Sequence, residues 1–155
     1  MEKNSSSMQL TRGADYAIRV MVYMANLPEQ ERSLLPDLAR AIDAPVSFLS
    51  KVLQALCKAE LIASRRGQRG GFEMLEAGRK ASMRKVVEAI DGPISLNLCL
   101  RCVPGCNRKE GCASFPIWAQ AQAAMMQVLD HAIIADIAQK QAAQDSTAVG
   151  CAGCA

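Results

Sequence analysis

One short segment narrows the fold more than any other: Arg65-Arg66-Gly67-Gln68-Arg69-Gly70-Gly71-Phe72. Its glycines disfavour a helix, each by roughly 1 kcal/mol relative to alanine. The flanking residues, 61–66 and 72–75, are extended in character. The whole predicts a β-hairpin whose glycines allow positive φ and close approach to a partner. Arg65, Arg66 and Arg69 would supply phosphate or base-edge contacts there. The plainer reading is a surface hairpin that happens to be basic.

What comes before the hairpin favours the first reading. Apolar residues recur at helical spacing over 11–27 (Tyr16, Val20, Tyr23, Met24, Leu27), with Asp15 in the favoured first turn. Pro36 opens a short helix over 36–42, Asp43-Ala44-Pro45 makes a turn, and Ser47 is placed to cap a helix over 47–59. Short helix, tight turn and longer helix form a helix-turn-helix pattern. A hairpin directly after it makes a winged helix.

The rest is helical except for one loop. A helix over 82–91 is closed by Gly92-Pro93. A long helix is predicted over 116–141, with Trp118, Ala121, Met125, Val128 or Leu129, Ala132, Ile133 and Ile137 at seam spacing. So long a helix in a chain of 155 residues is expected to cover its apolar face against a second copy. The expected fold is mainly α: a winged helix-turn-helix with a small β-hairpin wing and a long C-terminal dimerisation helix. Its parts are a disordered tail over 1–7, the winged-helix domain over 8–92, a cysteine-rich loop over 93–115, the dimerisation helix over 116–141, and a disordered tail over 142–155.

Charge is uneven along the chain. Residues 58–85 hold eight basic side chains against three acidic ones, while only Lys140 is basic after Cys112. An anionic partner is therefore expected at one region only. No apolar run reaches the roughly 18 residues of a membrane span, and no secretory leader is visible, so the cytoplasm is the expected place.

Seven cysteines need a reason in such a place. An odd count and a reducing compartment argue against a disulfide framework. Cys57 lies in an apolar helical pattern and reads as core. Cys99, Cys102, Cys106 and Cys112 share a loop with Pro104, Gly105 and Gly111, which lets sulfurs converge. Their spacing matches neither a zinc ribbon nor a ferredoxin run. Cys151 and Cys154 read as a redox pair, an accessory metal site or incidental residues of a loose tail. His131 reads as a packing or surface residue.

Several stretches together resemble a known family: Leu10-Thr11 with Asp15-Tyr16-Ala17, Phe48-Leu49, Arg66-Gly67 with Gly70-Gly71-Phe72, Ile90-Asp91-Gly92-Pro93, and the cysteine loop before Trp118. The chain resembles, over residues 8–138, the Rrf family of bacterial winged-helix transcription regulators of the IscR and NsrR type. The resemblance implies a homodimer on double-stranded DNA, with a roughly palindromic operator. The DNA-facing residues it implies are Ser47, Phe48, Ser50, Lys51, Arg66, Gly67, Gln68 and Arg69, beside the Arg65 of the hairpin. It also implies an Fe–S cluster, [2Fe–2S] or [4Fe–4S], on Cys99, Cys106 and Cys112. The fourth ligand stays open between Asp15, donated by the other subunit, and Cys102. The chain departs from the family in three places. Ser50 stands where a glutamate tunes site choice, Phe115 where a histidine ligates, and Glu60 where a glycine follows the second helix.

The expected function is a DNA-binding repressor or dual regulator that senses iron, redox state or nitric oxide through the cluster. The alternative is a metal-free thiol switch on the same fold, with a zinc site or a small Fe–S electron-transfer protein as further readings. An enzyme is not expected, since the chain has one histidine and no phosphate-binding glycine loop that opens a helix.

Overall fold

The computed structural model describes residues 10–67, 70–101 and 111–150, with side chains to residue 146. Helix α1 (Arg12–Ala25) starts at Thr11, whose hydroxyl accepts the Ala14 N–H at 3.2 Å. The same hydroxyl donates to Asp91 Oδ1 at 2.6 Å, and Thr11 N–H donates to Asp91 Oδ2 at 3.2 Å. Both ends of that contact come from stretches quoted for the family. They join the start of α1 to the end of α5 (Met83–Asp91).

Helices α2 (Leu35–Ala41) and α3 (Val46–Lys58) form the helix-turn-helix. Ser47 does not cap α3 as expected. Pro45 is the capping residue, and its carbonyl accepts from Phe48 N–H at 3.0 Å and Leu49 N–H at 2.9 Å. Proline fixes φ near the value that launches a helix, so the start moves upstream and Ser47 lies within the first turn. Both helices end in the same way. Asp43 (φ 52°) and Glu60 (φ 57°) are left-handed, and Ala44 and Leu61 N–H reach back to the Ala39 and Leu56 carbonyls.

The wing is built from β2 (Ile62–Arg65) and β3 (Gly71–Met74). A two-residue strand, β1 (Arg32–Ser33), pairs antiparallel along the other edge of β3, giving the order β1-β3-β2. The approach explains Gly71. Its φ is 140°, and a Cβ there would sit 2.8 Å from the Ser33 carbonyl oxygen. The glycine thus serves a neighbouring strand within the chain.

Short helix α4 (Glu76–Arg79) leads to α5, capped by Ser82, which accepts from Lys85 N–H at 3.3 Å. The core joins Val20, Met21 and Met24 of α1 to Leu38, Leu49, Leu53, Leu56, Leu61, Ile62 and Val86. No helix among the described residues is long and apolar enough to cross a membrane.

The single helix expected over 116–141 is two helices, α6 (Phe115–His131) and α7 (Ile134–Gly150). Ala132 adopts ψ 88°, which stops α6. The residues at the break then bond to the start of α5. Met83 N–H donates to the Ala132 carbonyl at 2.7 Å, and Ile134 N–H donates to the Ala81 carbonyl at 3.0 Å. These bonds replace those the helix loses. Ile134 and Ala138 are then buried in the chain's own core, with Ile137 packed beside them. Residues 142–150, expected as a loose tail, continue α7.

Candidate functional site

Helix α3 has two distinct faces. Leu49, Val52, Leu53 and Leu56 are buried in the core. The helical repeat turns Ser47, Lys51, Gln54 and Lys58 outward together, with Ser50 half-buried beside them. Gln54 and Lys58 were absent from the expected contacts. The same periodicity that marked the buried face would have found them. Phe48 is 42% exposed. Its ring is partly used internally, edge-on to Tyr16 with centroids 5.6 Å apart.

Beside α3 stands the wing. Arg65, Arg66 and Gly67 are exposed at its end. Gln68 and Arg69 lie outside the described residues. Arg65 is not a lone surface cation. Glu73 Oε1 accepts from Arg65 Nε at 3.3 Å and Nη2 at 3.1 Å, while Oε2 accepts from Arg32 Nε at 2.9 Å. The hydrogen bond from Arg32 is the main cause that holds the Glu73 carboxyl below its ordinary pKa. Burial opposes it, and the Arg65 hydrogen bond and both positive charges add to it.

Three other members of the basic stretch serve the fold. Arg79 donates to the Ala25 carbonyl at 2.7 Å and the Leu27 carbonyl at 3.1 Å, closing the end of α1. Lys80 pairs with Glu76 at 2.7 Å, and Arg84 bridges Glu88 at 3.1 Å and Asp130 of α6 at 3.0 Å. The i,i+4 spacing of Lys80 to Glu76 and of Arg84 to Glu88 is legible in the sequence, whereas the long-range partners of Arg79 and the Arg84 contact with Asp130 are not.

The cysteine loop is described at its two ends. Cys99 lies on a 3-10 turn, Leu98–Leu100, that packs against α6. Cys112 leads into α6, its carbonyl accepting from Phe115 N–H at 3.2 Å. Both thiols are free and half-buried. Cys102 and Cys106 lie outside the described residues, as do Cys151 and Cys154. Among the described residues, no three His, Cys, Asp or Glu side chains converge as a metal cage. Asp15 is exposed on α1, paired with Arg19 at 2.9 Å.

Helix α6 buries none of its residues fully in this chain. Ile117 is 67% exposed and Val128 70%, with Trp118 also outward. Ala124, Val128 and Ala132, with Gln127 and His131, form a shallow, open and mainly apolar patch on the same helix.

Residues 10–140 match the Rrf2 family, described as iron-dependent transcriptional regulators. A helix-turn-helix-type transcriptional regulator of Mycobacterium tuberculosis is 32% identical over 133 residues, spanning 84% of this chain and 81% of the relative. The regulator NsrR of Geobacillus kaustophilus is 28% identical over 141 residues, spanning 87% of this chain and 92% of its own. Among solved structures, CymR, the global cysteine regulator of B. subtilis, superposes with a TM-score of 0.72 at 21% identity, covering 86% of this chain and 98% of that one. T. potens IscR superposes with a TM-score of 0.68 at 18% identity, covering 87% and 89%. At those identities the two structural likenesses bear on the fold, which is that of winged-helix regulators.

Proposed function

The chain belongs to the Rrf2 family of transcriptional regulators, and on that footing we propose that it is a homodimeric, DNA-binding repressor gated by an Fe–S cluster. The observation that carries the DNA contact is the outward row Ser47, Lys51 and Gln54 on α3, beside the arginines of the wing. A recognition helix of this kind reads base edges, while the wing holds the phosphate backbone. Two copies related by a twofold axis would read a roughly palindromic duplex. The exposed apolar face of α6 is where the second copy docks. Membership of the family sets aside an enzyme and an electron-transfer protein.

Cys99, Cys106 and Cys112 would hold the cluster, with Asp15 of the partner or Cys102 as fourth ligand. The donor chemistry fits, since thiolates are the usual ligands of such clusters. Asp15 is accessible, and an exposed ion pair such as the one it makes with Arg19 costs little to open. When bound, the cluster would supply an iron- and redox-responsive link between the loop and its surroundings. The chain's own residues would carry that response. Arg84 and the backbone bonds at Ala132 and Ile134 tie α6 to α5, so a shift of α6 against its mate reaches the winged helix.

Anaerobic purification tests this reading. A coloured protein with iron and acid-labile sulfide supports the cluster, and Asp15→Ala and Cys102→Ala then separate the fourth ligand. Colourless protein after reconstitution, with a peroxide-dependent mass change on the loop cysteines, supports a thiol switch instead.

A further inference from the structure

Glu73 is the one buried charged residue among the described residues, at 9% exposure. A carboxylate withdrawn from water needs compensation, and here both oxygens have it. Strand register brings the partners together. Arg32 lies directly across from Glu73 on β1, and Arg65 lies across from Gly71 on β2. Opposite and diagonal neighbours on one sheet face are within reach of long side chains. Arg65 turns its Nε and Nη2 toward the carboxylate, yet its side chain stays 57% exposed. Its Nη1 has no protein acceptor among the described residues.

We infer that Glu73 is a positioning residue for the wing's contact with DNA: it fixes the plane of the Arg65 guanidinium so that the outward N–H edge meets a backbone phosphate. The inference rests on the DNA-binding reading above. A guanidinium is a planar fork, and its value at a phosphate depends on orientation. Unanchored, the long side chain would have to be ordered upon binding, at an entropic cost. Charge alone points the other way. Glu73 removes one unit of positive charge from the wing, so simple electrostatics makes it an opponent of DNA. The two accounts therefore give opposite signs for one substitution.

The full chain is tested on a duplex that the wild-type protein selects from a random pool, and on an unrelated duplex, across a salt series. Glu73→Gln should bind the selected duplex about tenfold more weakly, the scale of one oriented charge-assisted bond, despite the added positive charge. Binding to the unrelated duplex should weaken by a similar factor, because a phosphate contact carries no sequence information. Arg65→Lys should show the same loss, because it keeps the charge and gives up the fork. Glu73→Gln added to Arg65→Ala should cause no further loss, as expected of residues that act as a unit. A folded Glu73→Gln protein that binds the selected duplex as tightly as wild type, or more tightly, overturns the inference. So does an Arg65→Lys protein that matches wild type. If Glu73→Gln does not fold, Arg65→Lys decides alone. A wild-type chain that selects no duplex overturns the DNA-binding reading and this inference together, an outcome distinct from wild-type binding that the variants leave unchanged.

Discussion

The ring of Phe48 on α3 stands edge-on to the ring of Tyr16 on α1, with centroids 5.6 Å apart and planes inclined by 70°. The first turn of the exposed helix is thereby fixed to the core helix behind it. Such pairs contribute about 0.5–1.5 kcal/mol beyond the area they bury.

Phe48→Ala should therefore lower stability by about 1–2 kcal/mol, read from the urea midpoint. Tyr16→Leu keeps the apolar contact and loses the edge geometry, so its cost should be smaller, about 0.5–1 kcal/mol. A Tyr16→Leu protein as stable as wild type, with Phe48→Ala still destabilised, would deny the ring pair any role of its own.

Glu60 pays for the way α3 ends. Its φ of 57° is left-handed, and its N–H reaches back to the Cys57 carbonyl at 3.0 Å. Left-handed backbone costs a residue with a Cβ about 1–2 kcal/mol. Glu60→Gly should raise stability by roughly 1 kcal/mol, seen as a higher melting temperature. Asp43→Gly should gain less, because aspartate tolerates this region better. A destabilised Glu60→Gly protein would show that the cap is held by something other than backbone geometry.

These positions also show what the sequence made legible. Helix α1, the turn at Asp43-Ala44-Pro45 and the hairpin follow from local periodicity and turn chemistry. The strain at Glu60 was visible as a departure from the family pattern. Strand β1 was not visible, because two residues carry no period and exist as a strand only through Gly71 and its neighbours. The break at Ala132 was equally hidden. No glycine or proline marks it, and it forms because residues 81–83, fifty positions upstream, take its hydrogen bonds. The role of Glu73 needed register, which a one-dimensional charge count discards.

Acid sensitivity should follow from that carboxylate. The arginines hold its folded pKa below the ordinary glutamate value, which is about 4.3 in an unfolded chain. A depressed pKa gives stability that is complete above the unfolded value and is lost as pH falls through the folded one. Stability should thus decline as pH drops below about 4.5, and the decline should be shallower in Glu73→Gln. Parallel wild-type and variant curves over that window would assign the acid loss to other carboxylates. Glu76, held down chiefly by its hydrogen bond with Lys80, is exposed and should add little.

The two halves of the C-terminal region should respond differently to substitution. Ile134 is fully buried within the chain, whereas Val128, six residues earlier, is 70% exposed on α6. Ile134→Ala leaves a cavity and should cost about 2–4 kcal/mol at every protein concentration. Val128→Asp touches little of its own chain, so dilute protein should lose less than about 0.5 kcal/mol. If α6 docks on a second copy, the same aspartate is buried in that interface without a partner. Sedimentation should then show dissociation, and the melting temperature should fall most where wild type is concentrated enough to be dimeric. A Val128→Asp protein whose mass and concentration dependence match wild type would place the dimer contact away from this face of α6.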